Sequence, residues 1–322
     1  MRIKPRTTFS ENRKGFQYTL LAFLVVVGLI SLSRIDIFSQ TLDPLVVESR
    51  LLYMNNFVSD LESDIDNAVE IIGYRAVLGI IQNVVSSGIF IDNFSLRFNE
   101  AFLNGTIKNE PQAVLQDNSF SDFVLKIKAK ADPEMISLNF SLRNVSVSQD
   151  SSTGPWFVRV NVTFHYSLYD KISKASFNRT VDTSSRVSIF GLEDPTFLLN
   201  SYGRVARSFR KSSFSYFADG NDVSNLLNHT TQGLYIESPS APGFIERIEG
   251  RLVPSPYGLE SLINLSDFII NEIPTYENSI VDYIYFLGIF PDSFRINGTP
   301  GWFRIDESHL DVYGVRHLAL LP

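Results

Sequence analysis

Hydrophobic and polar positions change their period twice along this chain. Residues 16–33 form one uncharged run, Phe16-Gln-Tyr-Thr-Leu-Leu-Ala-Phe-Leu-Val-Val-Val-Gly-Leu-Ile-Ser-Leu-Ser33. At about 1.5 Å per residue it spans roughly 27 Å, close to the ~30 Å of bilayer hydrocarbon. Asp43-Pro44 then supplies an N-cap and a first-turn proline, which restart a helix. Leu51, Val58, Ile65 and Ile72 recur every seven residues with Met54, Leu61 and Ala68 between them. This seam predicts a stalk-like helix, or a contact with a partner helix through Leu51–Ile72. Asp60, Glu62, Asp64, Asp66 and Glu70 avoid the seam and read as its solvated face. They lack the central Gly and closing Glu that a calcium loop requires. Gly73 and Gly88 bracket an expected second helix over 74–85. Further helical patterns run from Phe94 to Leu103, stopped by Asn104-Gly105, and from Phe120 to Ala131, stopped by Asp132-Pro133.

Beyond residue 133 the period drops to two. Leu138, Phe140 and Leu142 alternate with Ser137, Asn139 and Ser141. Trp156, Val158, Val160, Val162, Phe164, Tyr166 and Leu168 alternate with Phe157, Arg159, Asn161, Thr163, His165 and Ser167. After a turn at 169–172, Ala175, Phe177 and Val181 continue on a third strand. The pattern predicts an antiparallel sheet with one buried and one polar face. Further on, 244–252 fits a strand, 259–270 a helix, and 281–290 a strand buried on both faces apart from Asp282. The fold class is therefore α+β: an N-terminal transmembrane helix, a helical membrane-proximal region and an ectodomain containing an antiparallel β-sheet. Its expected segments are a basic tail 1–15, a transmembrane helix 16–33, a helical stalk 34–132 and a β-rich α+β ectodomain 133–322.

Charge sets the orientation. Arg2, Lys4, Arg6, Arg13 and Lys14 against Glu11 give the first fifteen residues +4, so the −7 of the whole chain leaves −11 on the remainder. Positive charge stays inside, so residues 16–33 would cross the bilayer with the C-terminal body extracellular. The acidic balance excludes a nucleic-acid partner, whose phosphates demand a basic face. The absence of Cys excludes disulfides and thiolate metal sites.

Nine Asn-X-Ser/Thr sequons agree with that topology: Asn93, Asn104, Asn139, Asn144, Asn161, Asn178, Asn228, Asn264 and Asn297. Chance placement of the Asn and Ser/Thr residues would give about 3.5. Asn139, Asn161 and Asn178 all fall on the polar face of the expected sheet, as attached sugars require.

Signals for chemistry are sparse. Neither a nucleophile elbow, a His-Glu-X-X-His helix, a phosphate loop nor a dinucleotide fingerprint occurs, so no catalytic or cofactor-binding residue is assigned and no cofactor is expected. The one constellation able to hold a divalent metal, or to pair acid with base, is Asp306, Glu307, His309 and Asp311. A short polar segment with local hydrogen bonds would look the same. His165 and His229 read as solvated, the latter because it lies inside the Asn228 sequon. Arg204, Arg207, Arg210 and Lys211, with Phe209 and Phe214 interleaved, read as a solvated helix face over a core.

The Arg13-Lys14-Gly15-Phe16 start, the Gly191-Leu-Glu-Asp-Pro195 turn, the Gly258-Leu-Glu-Ser-Leu262 segment and the Gly301-Trp-Phe-Arg-Ile-Asp306 ending resemble archaeal membrane-anchored surface proteins with a class III, prepilin-like N-terminus. The resemblance implies an N-terminal helix in the membrane and a glycosylated body outside, with no catalytic residue to carry over. The expectation is a single-pass cell-surface glycoprotein with a structural, adhesive or pilus-associated role. The alternatives are a metal-dependent extracellular hydrolase or a ligand-binding ectodomain.

Overall fold

The computed structural model describes residues 20–27, 29, 30 and 43–320. The basic tail, the Arg13-Lys14-Gly15 motif and much of the 16–33 segment lie outside these. Residues 20–27, 29 and 30 are helical, with their apolar side chains exposed.

The spine of the molecule is one helix, α1 (Pro44–Ser87), 44 residues long and so about 66 Å. Asp43 caps it by accepting from the Leu45 N–H, and Gly88 ends it in the left-handed conformation. The expected break at Gly73 does not occur: α1 runs straight through. Gly73 serves packing instead, because a Cβ there would meet Val187 Cγ2 at 3.1 Å and Val160 Cγ2 at 3.3 Å. Among the described residues α1 is the one helix long and apolar enough to cross a membrane, yet most of its apolar stretch is buried inside this chain, as in a core helix.

What it packs on is a three-stranded antiparallel sheet, ordered β1 (Ile136–Ser148), β2 (Phe157–Asp170), β3 (Ser176–Ser188). Val158, Val160, Val162, Phe164, Tyr166 and Leu168 of β2 all point under the helix and are buried. Burying each large apolar side chain contributes about 1.5–3 kcal/mol. Met54, Val58, Leu61, Ile65, Ala68 and Ile72 of the heptad seam are likewise buried, whereas Leu51 is exposed. From Met54 onward the seam is filled by the chain's own core. The acidic residues are not uniformly solvated either, since Glu62 and Asp66 accept from side chains of the sheet.

The second half of α1 packs on α2 (Phe94–Asn104) and on the turn at Ala113–Leu115, while α3 (Phe120–Ala131) also contacts the helix. Both α2 and α3 start on side-chain caps, Asn93 and Ser119. One hydrophobic cluster runs from Met54 to Leu318, so residue 132 marks a change of secondary structure within a shared core.

After the sheet the chain folds into short elements: α4 (Pro195–Asn200), α5 (Ser224–Gln232), β4 (Tyr235–Glu237), α6 (Phe244–Ile248), β5 (Leu259–Ser261), α7 (Leu265–Ile270), α8 (Asp282–Leu287), β6 (Ser293–Ile296), β7 (Arg304–Asp306) and β8 (Ala319–Leu320). Strands β4 and β5 pair antiparallel, and β6 lies between β8 and β7. Three expectations are corrected here. Segment 244–252 is helix α6 and a turn, 259–270 splits into β5 and α7, and 281–290 contains helix α8. In each, an apolar run too short to display a period was settled by tertiary contacts.

Candidate functional site

The Asp306–Asp311 constellation is divided by the backbone. It leaves β7 through a 3₁₀ turn at Glu307–His309, which turns Asp306 and His309 inward and Glu307 outward. The His309 imidazole sits 2.7 Å from Asp306 Oδ1 through Nδ1. Its Nε2 lies 3.0 Å from the Tyr283 hydroxyl and 3.4 Å from Glu260 Oε2. The Ser279 hydroxyl donates to Asp306 Oδ2 at 2.7 Å, and that of Tyr313 donates to Glu260 Oε1 at 3.0 Å. Burial alone would lower the affinity of His309 for its proton. Its bonds to Asp306 and Glu260, and their negative charge, outweigh this and raise it to about 10. The same contacts overcome burial at Asp306 and hold it at about 2. The result is a closed imidazolium–carboxylate pair.

Glu307 and Asp311 stand on the surface and share Arg316. Asp311 takes it through two oxygens at 2.7 and 2.9 Å, and Glu307 through Nη1. The four candidates do not converge. Among the described residues no group of three or more His, Asp or Glu side chains is placed to hold a metal. The observation that would support the hydrolase alternative, a metal cleft around residue 306, is not formed by these side chains.

A second buried cluster adjoins the first through Glu260–Ser261 and Asp282–Tyr283. The fully buried guanidinium of Arg247 donates to Asp194 Oδ2 at 2.8 Å and Asp282 Oδ2 at 2.9 Å, and also to the Leu259 carbonyl. Tyr235 donates to Asp194 Oδ2 at 2.9 Å and Ser261 to Asp282 Oδ2 at 2.9 Å. Burial pushes the Asp282 carboxyl up to about 6, with Arg247 offsetting only part of the effect. Such a network is closed to substrate, and its chemistry is positional: it ties α6, β5, α8 and the 191–195 turn into one unit. Sequence reasoning missed Arg247, Asp194, Glu260 and Tyr235. The signal present was Asp282, the single charge in an otherwise apolar run.

Other sequence candidates are also redistributed. His229 is fully buried, not solvated, because the helix turns by about 100° per residue: Asn228 points out while His229 packs on Phe217. Burial pushes its imidazole down to about 4. His165 is half-buried on the polar sheet face, with Nδ1 3.1 Å from Thr180 Oγ1. The 204–211 stretch is extended, not helical. Arg204 binds the carbonyls of Asn271 and Glu272, Arg207 binds Asp267, Arg210 the Gln232 carbonyl and Lys211 binds Glu237, so no joint anion site is formed.

The sequons supply the most organised surface. The face of the sheet opposite α1 carries Asn139, Asn144, Asn161 and Asn178, and among the described residues no hydrophobic layer covers it. A bulge at Leu142/Asn144 leaves Arg143 extra and brings Asn144 onto this face, opposite Thr163. Asn139, Ser167 and Asn178 form one row across the three strands. Asn93, Asn104, Asn228 and Asn297 are exposed elsewhere, and Asn161 is half-buried. Asn264 is the exception: it is buried as the N-cap of α7, its Oδ1 accepting from the Ser266 N–H and its Nδ2 donating to Asp267.

No protein-family model, no curated protein and no solved structure matches the chain.

Proposed function

We propose that the chain is a single-pass cell-surface glycoprotein, N-terminus inside, whose body has an adhesive or structural role outside the cell, in the manner of pilus-associated surface proteins. The observation that carries this reading is the sequon-bearing sheet face: one side of a three-stranded sheet is packed under α1, and the other carries four sequon asparagines, of which Asn139, Asn144 and Asn178 are exposed. The polarised charge of the chain and the uncharged 16–33 run support the same topology. Residues 16–33 would hold the bilayer, since the apolar face of α1 is already engaged in the fold.

The test is the mature N-terminal residue of protein taken from native membranes, combined with protease added to intact cells. An N-terminus at Met1 or Arg2 fits an uncleaved anchor, and one at Phe16 fits prepilin-type processing. Arg34 would mean secretion, and a body resistant to external protease would place it inside; either result rejects the proposal.

A further inference from the structure

We propose that a cleft in the C-terminal half of the molecule, between α4, α7 and α8, is a binding site for a neutral saccharide. This deepens the adhesive reading above by naming a ligand class for it. The cleft measures about 450 Å³, within the range of small-ligand sites. Its mouth is formed by the rings of Tyr202, Tyr276 and Phe290, which are 75%, 54% and 64% exposed. Its floor is the buried pair Phe268 and Tyr285, whose ring centroids are 6.1 Å apart. Large aromatic rings left this open contribute little to a core, and three of them bordering one concavity make a stacking platform.

The walls are held by specific bonds. Tyr202 (φ 56) and Glu272 (φ 57) both adopt the left-handed conformation, which side chains other than glycine take at a cost. Arg204 bridges these two strained turns, donating from Nη1 to the carbonyls of Asn271 and Glu272. Tyr276 stands at 6.2 Å and 87° to Phe290, an edge-to-face arrangement that sets both rings at the opening. The Tyr285 hydroxyl accepts the Tyr276 N–H at 3.0 Å, which leaves its own proton to donate. Asn200 uses Nδ2 on the Thr196 carbonyl, leaving its Oδ1 as an acceptor.

The chemistry selects the ligand. Among the described residues no Asp, Glu, Lys or Arg lines the cleft, so none of them compensates a charged group there. On the adjoining surface Glu272 stands exposed beside Arg204, Asp292 is also exposed, and Glu277 is paired with Arg304, so these residues leave no cationic patch to recruit anionic sugars or anionic lipid surfaces. A neutral pyranose presents a C–H face to the negative face of an aromatic ring and hydroxyls to a phenol and a carboxamide. The site offers both.

The experiment uses the full chain in a detergent without a sugar headgroup. Its retention is measured on immobilised neutral hexose and N-acetylhexosamine oligosaccharides, with sialylated and sulfated glycans and phosphatidylcholine vesicles as comparators. Retention on neutral glycans that survives high salt, and weakens about tenfold or more in Tyr276→Ala and Tyr202→Asn, is the expected result. Asn tolerates the left-handed backbone, so the second variant removes the ring without adding strain. Should a variant fail to fold, quenching of tyrosine fluorescence by the retained oligosaccharide on the unaltered protein gives the answer. No retention on neutral glycans, preference for charged ones, retention indifferent to both substitutions, or cleft-dependent capture by vesicles would each overturn the proposal. Binding in solution does not depend on topology, so a negative result here is distinct from a failure of the surface localisation.

Discussion

The phenol of Tyr166, buried in β2, donates a 2.6 Å hydrogen bond to Oε1 of Glu62 on α1, and Arg179 of β3 binds the same carboxylate at 2.9 and 3.0 Å. One acidic residue on a predominantly apolar helix thus addresses two strands at once. Tyr166→Phe should lower stability by about 1.5 kcal/mol, the range for a bond to a charged acceptor that keeps another partner. The urea midpoint should fall with an unchanged m-value.

Helix and sheet approach closely at Gly73. A glycine inside an exposed helix usually costs about 1 kcal/mol relative to alanine. Here a Cβ would press on Val187 and Val160 at 3.1 and 3.3 Å, so Gly73→Ala should not recover that amount. Gly73→Leu should destabilise by about 1–3 kcal/mol through overpacking. Thermal unfolding of the two variants against the parent tests the order.

The buried polar clusters give stability two separate pH windows. His309 is raised from 6.5 to about 10 in the folded state, so its contribution is complete below 6.5 and is lost as pH rises through 10. Asp282 is raised from 3.8 to about 6, so the folded state binds more protons than the unfolded one between those values. The Asp282 contribution therefore declines as pH rises from about 4 to 6, while buried His229, lowered from 6.5 to about 4, adds stability with rising pH over the same interval. Asp306, lowered to about 2, opposes this only in strong acid, its contribution disappearing as pH falls from 3.8 through 2. Urea midpoints measured from pH 4 to 10 should show the upper decline, which His309→Gln should flatten. Between pH 4 and 6 Asp282 and His229 oppose each other, so Asp282→Asn should make stability rise more steeply with pH there than in the parent.

Arg247 neutralises two buried carboxylates. Arg247→Met leaves Asp194 and Asp282 without their cation and should cost about 3–5 kcal/mol. Arg316→Met removes an equally well-formed but exposed pair with Asp311 and should leave the denaturation midpoint nearly unchanged. Parallel chemical denaturation of the two variants distinguishes burial from mere pairing.

Glycopeptide mapping of native protein should find sugar on Asn139, Asn144 and Asn178 and none on Asn264. Conversely, Asn264→Ala should destabilise by about 1 kcal/mol through loss of a cap, whereas Asn178→Gln should be neutral.

Where a run was long enough to show its period, the architecture was legible in the sequence. Trp156–Leu168 declared a one-sided strand, and Asp132-Pro133 marked the end of α3. The sequence did not reveal that Gly73 lies inside one helix, because glycine as a stop and glycine as a contact are written alike. Nor did it separate strand from helix at 281–290, where apolar residues on both faces erase the period. The Asp306–His309 pair was visible as a cluster, but its partners Glu260, Tyr283 and Ser279 come from other elements. Chain proximity cannot show which side chains a fold brings together. The aromatic cleft is illegible for the same reason, since Tyr202 is far from Tyr276 and Phe290 in the chain.

Helix α1 runs alongside β3 in the same direction, with Glu62 and Asp66 meeting Arg179 and Thr183 in turn, and Arg50 fastened to Asp170 near its start. A mechanical pull applied at Asp43 along the helix axis would load these ties simultaneously and sideways. Ties stressed in shear must yield together, whereas ties peeled from one end yield singly. A tether attached at this end would therefore transmit tension into the body of the molecule before it frayed the helix.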